Sequence, residues 1–409
     1  MKVLMIAPQP FFEPRGTPIS VYQRLHGLSD LGYEVDLVTY HVGEDVEIPG
    51  VTIHRSPIVP FIKKVKIGPS IAKLPLDIML FFMSLWMLLK NRYDVIHSHE
   101  EAAFFAVFLS KLFRVPHLYD MHSSLPKQLA NFNFGNHLPI VKLFEFLENM
   151  VLKSCDVVLT IGTDLEDYVL FVNRQANHIR IENIAVHNDA HHERDSVVKL
   201  KQSLNLNGKL PIVYTGTFEG YQGLDVLFES ARTVVDKQAN AQFVMVGGKP
   251  EQVAYWQNEV NKLGISENVT FTGIVPLDES LLFLELADIL VSPRTEGLSV
   301  PLKIYSYLHS GKPTVATNIF AHTQILDEET AVIVEPNAQD YAAGLMRLIE
   351  NPEWGSQIGE NARLLAEKEF SKEGYLSKLE RAYLAIKYQM RISDISASEQ
   401  IGTTVPVRS

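Results

Sequence analysis

The segment 292–318 combines a strand end, a glycine-containing loop and the start of a helix, an arrangement that can bind anions. Pro301 stands where the first helical turn would begin, a position that needs no amide partner. Gly311 is placed to end this helix, and Lys303 falls in its first turn. Because free amides and the helix dipole favour negative charge there, the lysine would complete an anion site. The alternative is an ordinary strand–loop–helix unit with solvated charges.

Two groups of histidines raise the question of a metal. His97 and His99 stand two residues apart at a strand end, so their side chains share a face, but two ligands are too few without a third from elsewhere. His187 and His191 lie in a polar segment that offers no obvious further ligand. We therefore expect no required metal.

The elements that must position these residues alternate along both halves of the chain. Continuous apolar runs that alternate with helical spacing indicate parallel sheets covered on both faces. The expected strands are 2–7, 35–40, 94–97, 117–120, 156–161, 211–216, 241–246, 268–272, 287–292, 314–317 and 331–334. This pattern predicts two doubly wound α/β domains joined near residue 190. Ligands of such sheets bind beyond the carboxyl ends of the strands.

Composition narrows the class of protein. The 409 residues exceed what one hydrophobic core usually supports, in agreement with two domains. A net charge of −11 argues against nucleic acid as a partner, because phosphate neutralisation needs a basic surface. The single cysteine, Cys155, permits no intramolecular disulfide, which fits a reducing cytoplasm.

The segment 61–89 bears on membrane contact. Four lysines precede the apolar run 78–89, which at twelve residues is too short to span a bilayer. A basic cluster beside an exposed apolar helix would favour an anionic membrane surface, so the chain is expected to be cytoplasmic with peripheral contact on the inner face through 61–89. The alternative is a core helix packed on the first sheet, which apolar residues all round the helix favour.

Five short motifs follow one another in order along the chain. They are Arg15-Gly16-Thr17-Pro18, Tyr93–His99, Val115–His122, Tyr214–Thr217, and the stretch from Glu296-Gly297 to Gly311-Lys312-Pro313. Together they resemble the retaining glycosyltransferases of family 4, also called group 1. The resemblance implies the GT-B fold, with two facing Rossmann-like doubly wound parallel-sheet domains and a cleft between them. It also implies metal-independent transfer of a sugar from a nucleotide diphosphate-sugar donor to a glycan or lipid-linked acceptor. Because the donor is a substrate, no cofactor is expected.

The resemblance also implies a division of the chain. It places an acceptor-side domain at 1–187, a nucleotide-sugar-binding domain at 188–370 and a helix that crosses back to the first domain at 371–390. Polar residues without periodicity follow, so we expect a mobile tail at 391–409.

Site residues follow from the same motifs. His122 would face the donor sugar and Glu296 opens the second-domain signature, so both are candidate catalytic residues. The loops that contain Gly16 and Thr17, and Gly216 and Thr217, would reach the donor phosphates. Loops 247–250 and 317–324, which include His322, would contact the base and sugar.

Three departures from the family pattern matter for the chemistry. Ser306 stands where the family usually has the glutamate that binds the ribose, although a serine can still hydrogen-bond a hydroxyl. Thr217 and Gln222 stand about where an arginine and a lysine usually neutralise the diphosphate. We hypothesise that Arg294 and Lys303 supply the missing charge.

Two other functions stay open on the sequence. The missing cations are compatible with a non-catalytic sugar-nucleotide-binding homologue or a partner subunit of another transferase. A nucleotide-sugar epimerase of the same fold is less favoured, because that class lacks the glycine-containing first loop and the Glu-Gly signature found here. Release of a nucleoside diphosphate separates a transferase from both.

Overall fold

The computed structural model describes residues 1–13, 16–60, 62, 65, 73–131, 138–185 and 194–395, which form two compact units. Unit 1 comprises Met1–Asn183 together with the chain from Lys372 onward. Unit 2 comprises Ile184–Ser371. The chain therefore completes unit 2 before its last helix returns to unit 1.

Unit 1 begins with seven strands and six helices in the described residues. The strands are β1 Lys2–Ala7, β2 Glu34–Thr39, β3 Val51–Arg55, β4 Val95–His99, β5 His117–Met121, β6 Val157–Thr160 and β7 His178–Arg180. The helices are α1 Gly16–Asp30, α2 Leu74–Lys90, α3 Ala102–Phe113, α4 Leu125–Asn131, α5 Leu138–Ser154 and α6 Thr163–Val172.

Unit 2 repeats the alternation of strands and helices. Its strands are β8 Leu210–Thr215, β9 Ala241–Val246, β10 Val269–Gly273, β11 Ile289–Ser292, β12 Thr314–Thr317 and β13 Val332–Val334. Its helices are α7 Arg194–Ser203, α8 Leu224–Lys237, α9 Pro250–Lys262, α10 Leu277–Leu286, α11 Leu302–Ser310, α12 Phe320–Thr323, α13 Ala338–Glu350 and α14 Pro352–Glu369. Helix α15, Lys372–Tyr388, then belongs to unit 1.

Each unit is a parallel sheet with the strand order of a doubly wound fold. In unit 1 the order is β3-β2-β1-β4-β5-β6-β7, and in unit 2 it is β10-β9-β8-β11-β12-β13. Both orders reverse beside the first strand of the unit, and ligands of such sheets bind at that point. The predicted fold class of two Rossmann-like α/β domains is confirmed.

The strands form where apolar residues run without interruption. Residues 3–7 of β1 and all of β9 are buried, because helices cover both faces of each sheet. Two strands were not predicted, β3 and β7. Both lie at sheet edges and are only half-buried, so polar residues such as Thr52 and His178 interrupt the apolar pattern.

The end of the chain corrects one expectation. Residues 392–395 form a helical turn after α15, and Ile392 and Ile395 are buried. A mobile tail therefore does not begin at Arg391, because these two apolar side chains hold the turn in the core. The rest of the predicted tail, 396–409, lies outside the described residues, as do His187 and His191.

Helix α2 fits the expectation of a core helix and also keeps an apolar outer side. Leu76, Leu80 and Met87 are buried against the sheet, whereas Phe82 and Trp86 are exposed. No helix in the described residues is both long and apolar enough to cross a membrane.

Candidate functional site

Lys303 is a buried cation with no hydrogen-bond partner among the residues that the structure describes. Pro301 caps α11, and Lys303 lies in the first turn of that helix, as the sequence predicted. Its Nζ is shielded from solvent, has no hydrogen-bond partner in the described structure, and lies 3.8 Å from the centroid of the Tyr214 ring. Burial, and then the charge of Arg294, hold the pKa of this amine well below its usual value. The protein therefore tolerates an unfavourable charge here that a bound anion would relieve.

Arg294 is the second cation of this group. It follows β11, and its guanidinium lies over the Tyr221 ring at 5.1 Å from the centroid. Its Nε donates to the carbonyl of Glu296 at 2.6 Å, and burial lowers its pKa. Within the described part of the chain, neither Arg294 nor Lys303 forms an ion pair with a carboxylate.

Glycines bring the loops of unit 2 together around these cations. Gly216 follows β8 with φ +140°, and a Cβ there would lie 3.5 Å from Lys303 Nζ. Gly223 has φ +68°, and a Cβ there would meet the carbonyl oxygen of Pro293 at 2.0 Å. Only glycine allows both the positive φ and this close approach. The loops after β8 and β11 therefore meet at the carboxyl end of the sheet.

The neutral residues in the loop after β8 make their hydrogen bonds within that loop and with β8. Tyr214 Oη donates to the carbonyl of Thr217 at 2.6 Å, and Gln222 Nε2 lies 3.4 Å from Thr217 Oγ1. Thr217 thus lies beside the cation group, in contact with Tyr214, whose ring Lys303 faces. Arg294 and Lys303 both border this loop, and that they replace two cations stays a hypothesis.

The structure does not join Glu296 and Ser306 to the cations through their side chains. Glu296 is exposed, and its contact with Arg294 is made by the backbone carbonyl. Ser306 is half-buried on α11, whereas its neighbour Tyr307 reaches β8, with Oη 2.9 Å from the backbone nitrogen of Thr215.

Several tyrosines of this region were missed from the sequence. Tyr214, Tyr221 and Tyr307 shape the surroundings of the cations. Tyr214 and Tyr307 are buried within a strand and a helix, where they resemble ordinary core residues in the sequence. Nothing in the local pattern distinguishes them.

His322 has a structural role that differs from the predicted one. Its Nε2 lies 2.9 Å from Ser292 Oγ and its Nδ1 lies 2.9 Å from the carbonyl oxygen of Thr317. Burial lowers its pKa to about 4. Because both ring nitrogens are used within unit 2, this side chain joins β11 to β12 and leaves no nitrogen for a base or sugar.

In unit 1, the described part of the predicted phosphate loop is the start of α1. Gly16 has φ +45° and open space where a Cβ would stand, and Thr17 Oγ1 donates to Glu100 Oε1 at 3.2 Å. Burial, and then the charge of Glu101, raise the pKa of Glu100. Thr17 therefore borders a carboxylate that lies just after β4. Arg15 lies outside the described residues.

His122 belongs to a buried network at the carboxyl ends of β4 and β5. Its Nε2 lies 3.0 Å from His99 Nδ1 and 3.4 Å from Asp120 Oδ1. The predicted shared face of His97 and His99 is confirmed by ring centroids 4.7 Å apart. Arg24 Nε donates to Asp120 Oδ2 at 2.8 Å, and this pairing outweighs burial to keep the pKa of Asp120 well below its usual range.

The sequence argument against a metal, that His97 and His99 are only two ligands, does not hold for this network. Asp120 supplies the third ligand that the sequence did not reveal, since ligand atoms of His97, His99 and Asp120 lie within 4.8 Å of one another. The charge of Asp120 is already neutralised by Arg24, however, and both are fully buried. A divalent ion would leave net positive charge in this core, which is costly. The residues suit a hydrogen-bonded network better than a metal, and the absence of a required metal stays a prediction.

Comparison with known families now identifies the chain. A model described as Glycosyltransferase Family 4 matches residues 14–181, and one described as Glycosyl transferases group 1 matches 209–351. The chain belongs to the group 1 glycosyltransferases. Each match falls within one unit, so the assignment covers both sheets.

Relatives and solved structures agree with that assignment. This glycosyltransferase is 24% identical to a sulfoquinovosyl transferase of Arabidopsis thaliana over 377 residues, 89% of this chain and 70% of the relative. The structure of HepE from Anabaena in complex with UDP matches with a TM-score of 0.72 at 17% identity, over 94% of this chain and 100% of that one. Sucrose-phosphate synthase from Thermosynechococcus elongatus matches with a TM-score of 0.71 at 18% identity, over 94% and 98%. These structural likenesses show the GT-B fold.

Proposed function

We propose that this glycosyltransferase is a retaining enzyme of family 4 that transfers a sugar from a nucleoside diphosphate sugar to a glycan or lipid-linked acceptor. The observation that carries the proposal is the buried, unpartnered amine of Lys303 beside Arg294. Preorganised cations in a site of low dielectric stabilise charge that develops on a leaving diphosphate. The amides at the start of α11 add to the same effect.

In the proposed reaction, the bond between the anomeric carbon of the donor and its phosphate oxygen breaks. The acceptor oxygen bonds to that carbon on the same face, and the acceptor proton passes to the leaving diphosphate. Lys303 and Arg294 neutralise this diphosphate, so we propose that transfer needs no divalent ion. Thr17 and Gly16 would contact the donor phosphates, with His122 directed to the sugar, Glu296 near it and Ser306 at the ribose.

The donor and the cellular location are proposed from separate arguments. A similar fold from Anabaena has been solved with UDP and with UDP-glucose, which makes uridine donors the first to test. A cytoplasmic location is proposed because Cys155 is the single cysteine and no disulfide within the chain is needed.

Calorimetry on nucleoside diphosphates tests the cation assignment. We expect metal-free wild-type protein to bind one nucleotide class saturably, with UDP as the first probe. Lys303→Glu should weaken binding by at least about 100-fold, because it replaces attraction by repulsion at a buried position. Lys303→Met removes the charge while keeping an apolar chain, and should weaken binding by about tenfold or more.

A matched control separates local charge from net charge. Lys237→Glu makes the same change at an exposed position at the end of α8 and should bind UDP like wild type. Wild-type affinity in Lys303→Glu would overturn the assignment, as would absence of wild-type binding at millimolar nucleotide.

A non-catalytic sugar-nucleotide binder is the second candidate function, because Thr217 and Gln222 are neutral where the family usually has two cations. Binding without release of nucleoside diphosphate from a donor, across a panel of glycan and lipid acceptors, would favour it.

A further inference from the structure

Three neighbouring helices of unit 1 present an apolar outer surface. Phe81 of α2 contacts Phe105 of α3 with centroids 5.6 Å apart, and Phe104 of α3 contacts Phe144 of α5 with centroids 5.9 Å apart. Helices α2, α3 and α5 therefore lie side by side. We call their outer surface the α2–α3–α5 face.

The outer side of α2 is apolar along its whole length. Leu74, Ile78, Phe82, Trp86 and Leu89 follow one another at spacings of four, four, four and three residues, and each is exposed. That spacing places them in one stripe on the side of α2 that the core does not use. The buried side of the helix already meets the sheet, so the described residues of unit 1 leave this stripe exposed.

Helices α3 and α5 continue the stripe. Phe108 and Leu112 are 59% and 70% exposed on α3, and Leu143 and Phe146 are 54% and 65% exposed on α5. Of the twenty large apolar side chains that are exposed in the described residues, ten lie on α2, α3 and α5. A protein surface rarely concentrates apolar residues in this way unless something covers them.

Positive charge accompanies the apolar residues. Lys90, Lys111, Lys142 and Lys153 are exposed on the three helices, in a protein whose net charge is −11. Lys90 Nζ lies 4.2 Å from the centroid of the Trp86 ring, so the amine stands directly beside the apolar stripe.

Acidic residues of the same helices mostly point inward. Asp77 accepts a hydrogen bond from Tyr40 Oη, and Glu148 is buried and accepts one from Ser124 Oγ. Glu145 is the exposed carboxylate of these helices in the described structure. The charge of the α2–α3–α5 face is therefore locally opposite to that of the whole protein.

We propose that the α2–α3–α5 face docks on an anionic lipid bilayer, with its apolar side chains at the boundary between headgroups and acyl chains. Lysines that border an apolar surface pair with anionic headgroups while their stems stay in apolar contact. A second copy of the chain fits less well, because a two-fold interface would bring the same lysines against one another. The proposal does not depend on the transfer chemistry.

The proposed membrane surface differs from the segment 61–89 that the sequence predicted. Lys73 lies 3.2 Å from Glu101 and is half-buried, so its charge is already compensated, and Lys63, Lys64 and Lys66 lie outside the described residues. The membrane face extends instead to α3 and α5, which are distant from 61–89 in the sequence.

Co-sedimentation with vesicles tests the proposal on the full chain. We expect binding to vesicles that contain phosphatidylglycerol and little binding to vesicles of phosphatidylcholine alone. Phe82→Ser with Trp86→Ser should reduce binding by at least about tenfold. Lys111→Glu with Lys142→Glu should reduce it by about 25-fold or more, since each lysine contributes about fivefold.

Matched variants on unit 2 provide the control. Tyr255→Ser with Ile274→Ser removes two equally exposed apolar residues, and Lys199→Glu with Lys237→Glu reverses two exposed lysines. These variants should sediment like wild type, and thermal unfolding should show that all variants fold. Equal binding to both kinds of vesicle, or wild-type binding by the face variants, would overturn the proposal.

Light scattering without vesicles tests whether the α2–α3–α5 face binds a second copy of the chain instead. We expect a concentration-independent mass. A dimer that Phe82→Ser with Trp86→Ser abolishes, together with no vesicle binding by wild type, would assign the face to self-association instead. Vesicle binding and UDP binding are measured separately, so the failure of one leaves the other result intact.

Discussion

The two units treat buried positive charge in opposite ways. In unit 1, Arg24 and Asp120 are both fully buried and pair at 2.8 Å, and histidines surround the carboxylate. In unit 2, Lys303 and Arg294 are held among tyrosine rings without a carboxylate partner in the described residues. A compensated charge supports the fold, whereas an uncompensated one costs stability and is retained where a ligand supplies the counter-charge.

This contrast separates two kinds of buried polar residue that look alike in the sequence. Arg24 lies within a helix and Lys303 within the first turn of another, and neither stands next to an acidic residue in the sequence. What differs is whether a distant strand delivers an anion, as β5 does for Arg24 with Asp120. The consequence is that replacing Arg24 should act mainly on stability, whereas replacing Lys303 should act mainly on ligand binding.

The largest expected effect comes from breaking the compensated pair. Arg24→Met should lower the free energy of unfolding by about 3–5 kcal/mol, because it leaves Asp120 buried without its cation. Arg24 Nη2 also donates to the carbonyl of Ile181, and that bond is lost too. Urea unfolding measures the change.

Arg232→Met is the control for that experiment. Arg232 pairs with Asp236 on the surface of α8, so its loss should cost less than about 1 kcal/mol. Equal effects of the two substitutions would mean that the buried pair contributes no more than a surface pair, which would remove the contrast.

More of the fold than of the candidate site could be predicted from the sequence. Uninterrupted apolar runs such as β9 reveal buried parallel strands, whereas edge strands β3 and β7 carry exposed polar positions and escape the rule. Lys303 could be singled out because Pro301 marks a helix start locally. Asp120 could not be recognised as the partner of Arg24, because 96 residues separate them and only the sheet joins them.

A second experiment sharpens the comparison with an uncompensated acid in unit 1. Burial, and then Glu101, raise the pKa of Asp77 to about 7 from 3.8. The native state therefore binds more protons than the unfolded state between these values, and the contribution of Asp77 to stability falls as the pH rises through that range. Asp77→Asn should remove this fall and make the protein more stable than wild type at pH 8 by up to about 4 kcal/mol.

Thermal unfolding of wild type and Asp77→Asn across pH 4 to 8 measures the difference. The difference between the two proteins should shrink steadily as the pH falls toward 4, because the wild-type carboxyl becomes protonated first in the native state and then in part in the unfolded state. Asparagine can still accept the Tyr40 hydrogen bond. A constant difference at every pH would show that the effect comes from packing.

The smallest expected effect is the change in stability of the unliganded protein when Lys303 is replaced. Lys303→Met should stabilise the unliganded protein by about 1 kcal/mol at neutral pH, since an apolar side chain avoids burying the amine. The native pKa of Lys303 is lowered, so the unfolded state binds more protons and wild-type stability rises with pH toward 10.5. The advantage of the variant should therefore shrink in alkali, as denaturant titrations at two pH values would show. Loss of stability at neutral pH would place Lys303 among the compensated charges.

The return of α15 to unit 1 has a consequence for how the chain matures during synthesis. Tyr383 Oη lies 2.7 Å from His97 Nδ1, and 286 residues separate the two. Residues 1–183 leave the ribosome long before α15, yet their core lacks Tyr375, Leu379 and Tyr383 until that helix arrives. Unit 2 is contiguous and can close as soon as Ser371 has emerged, whereas unit 1 closes last although its first strand is made first. The amino-terminal half therefore stays incomplete until α15 has been made, and the surface that receives this helix stays uncovered until then.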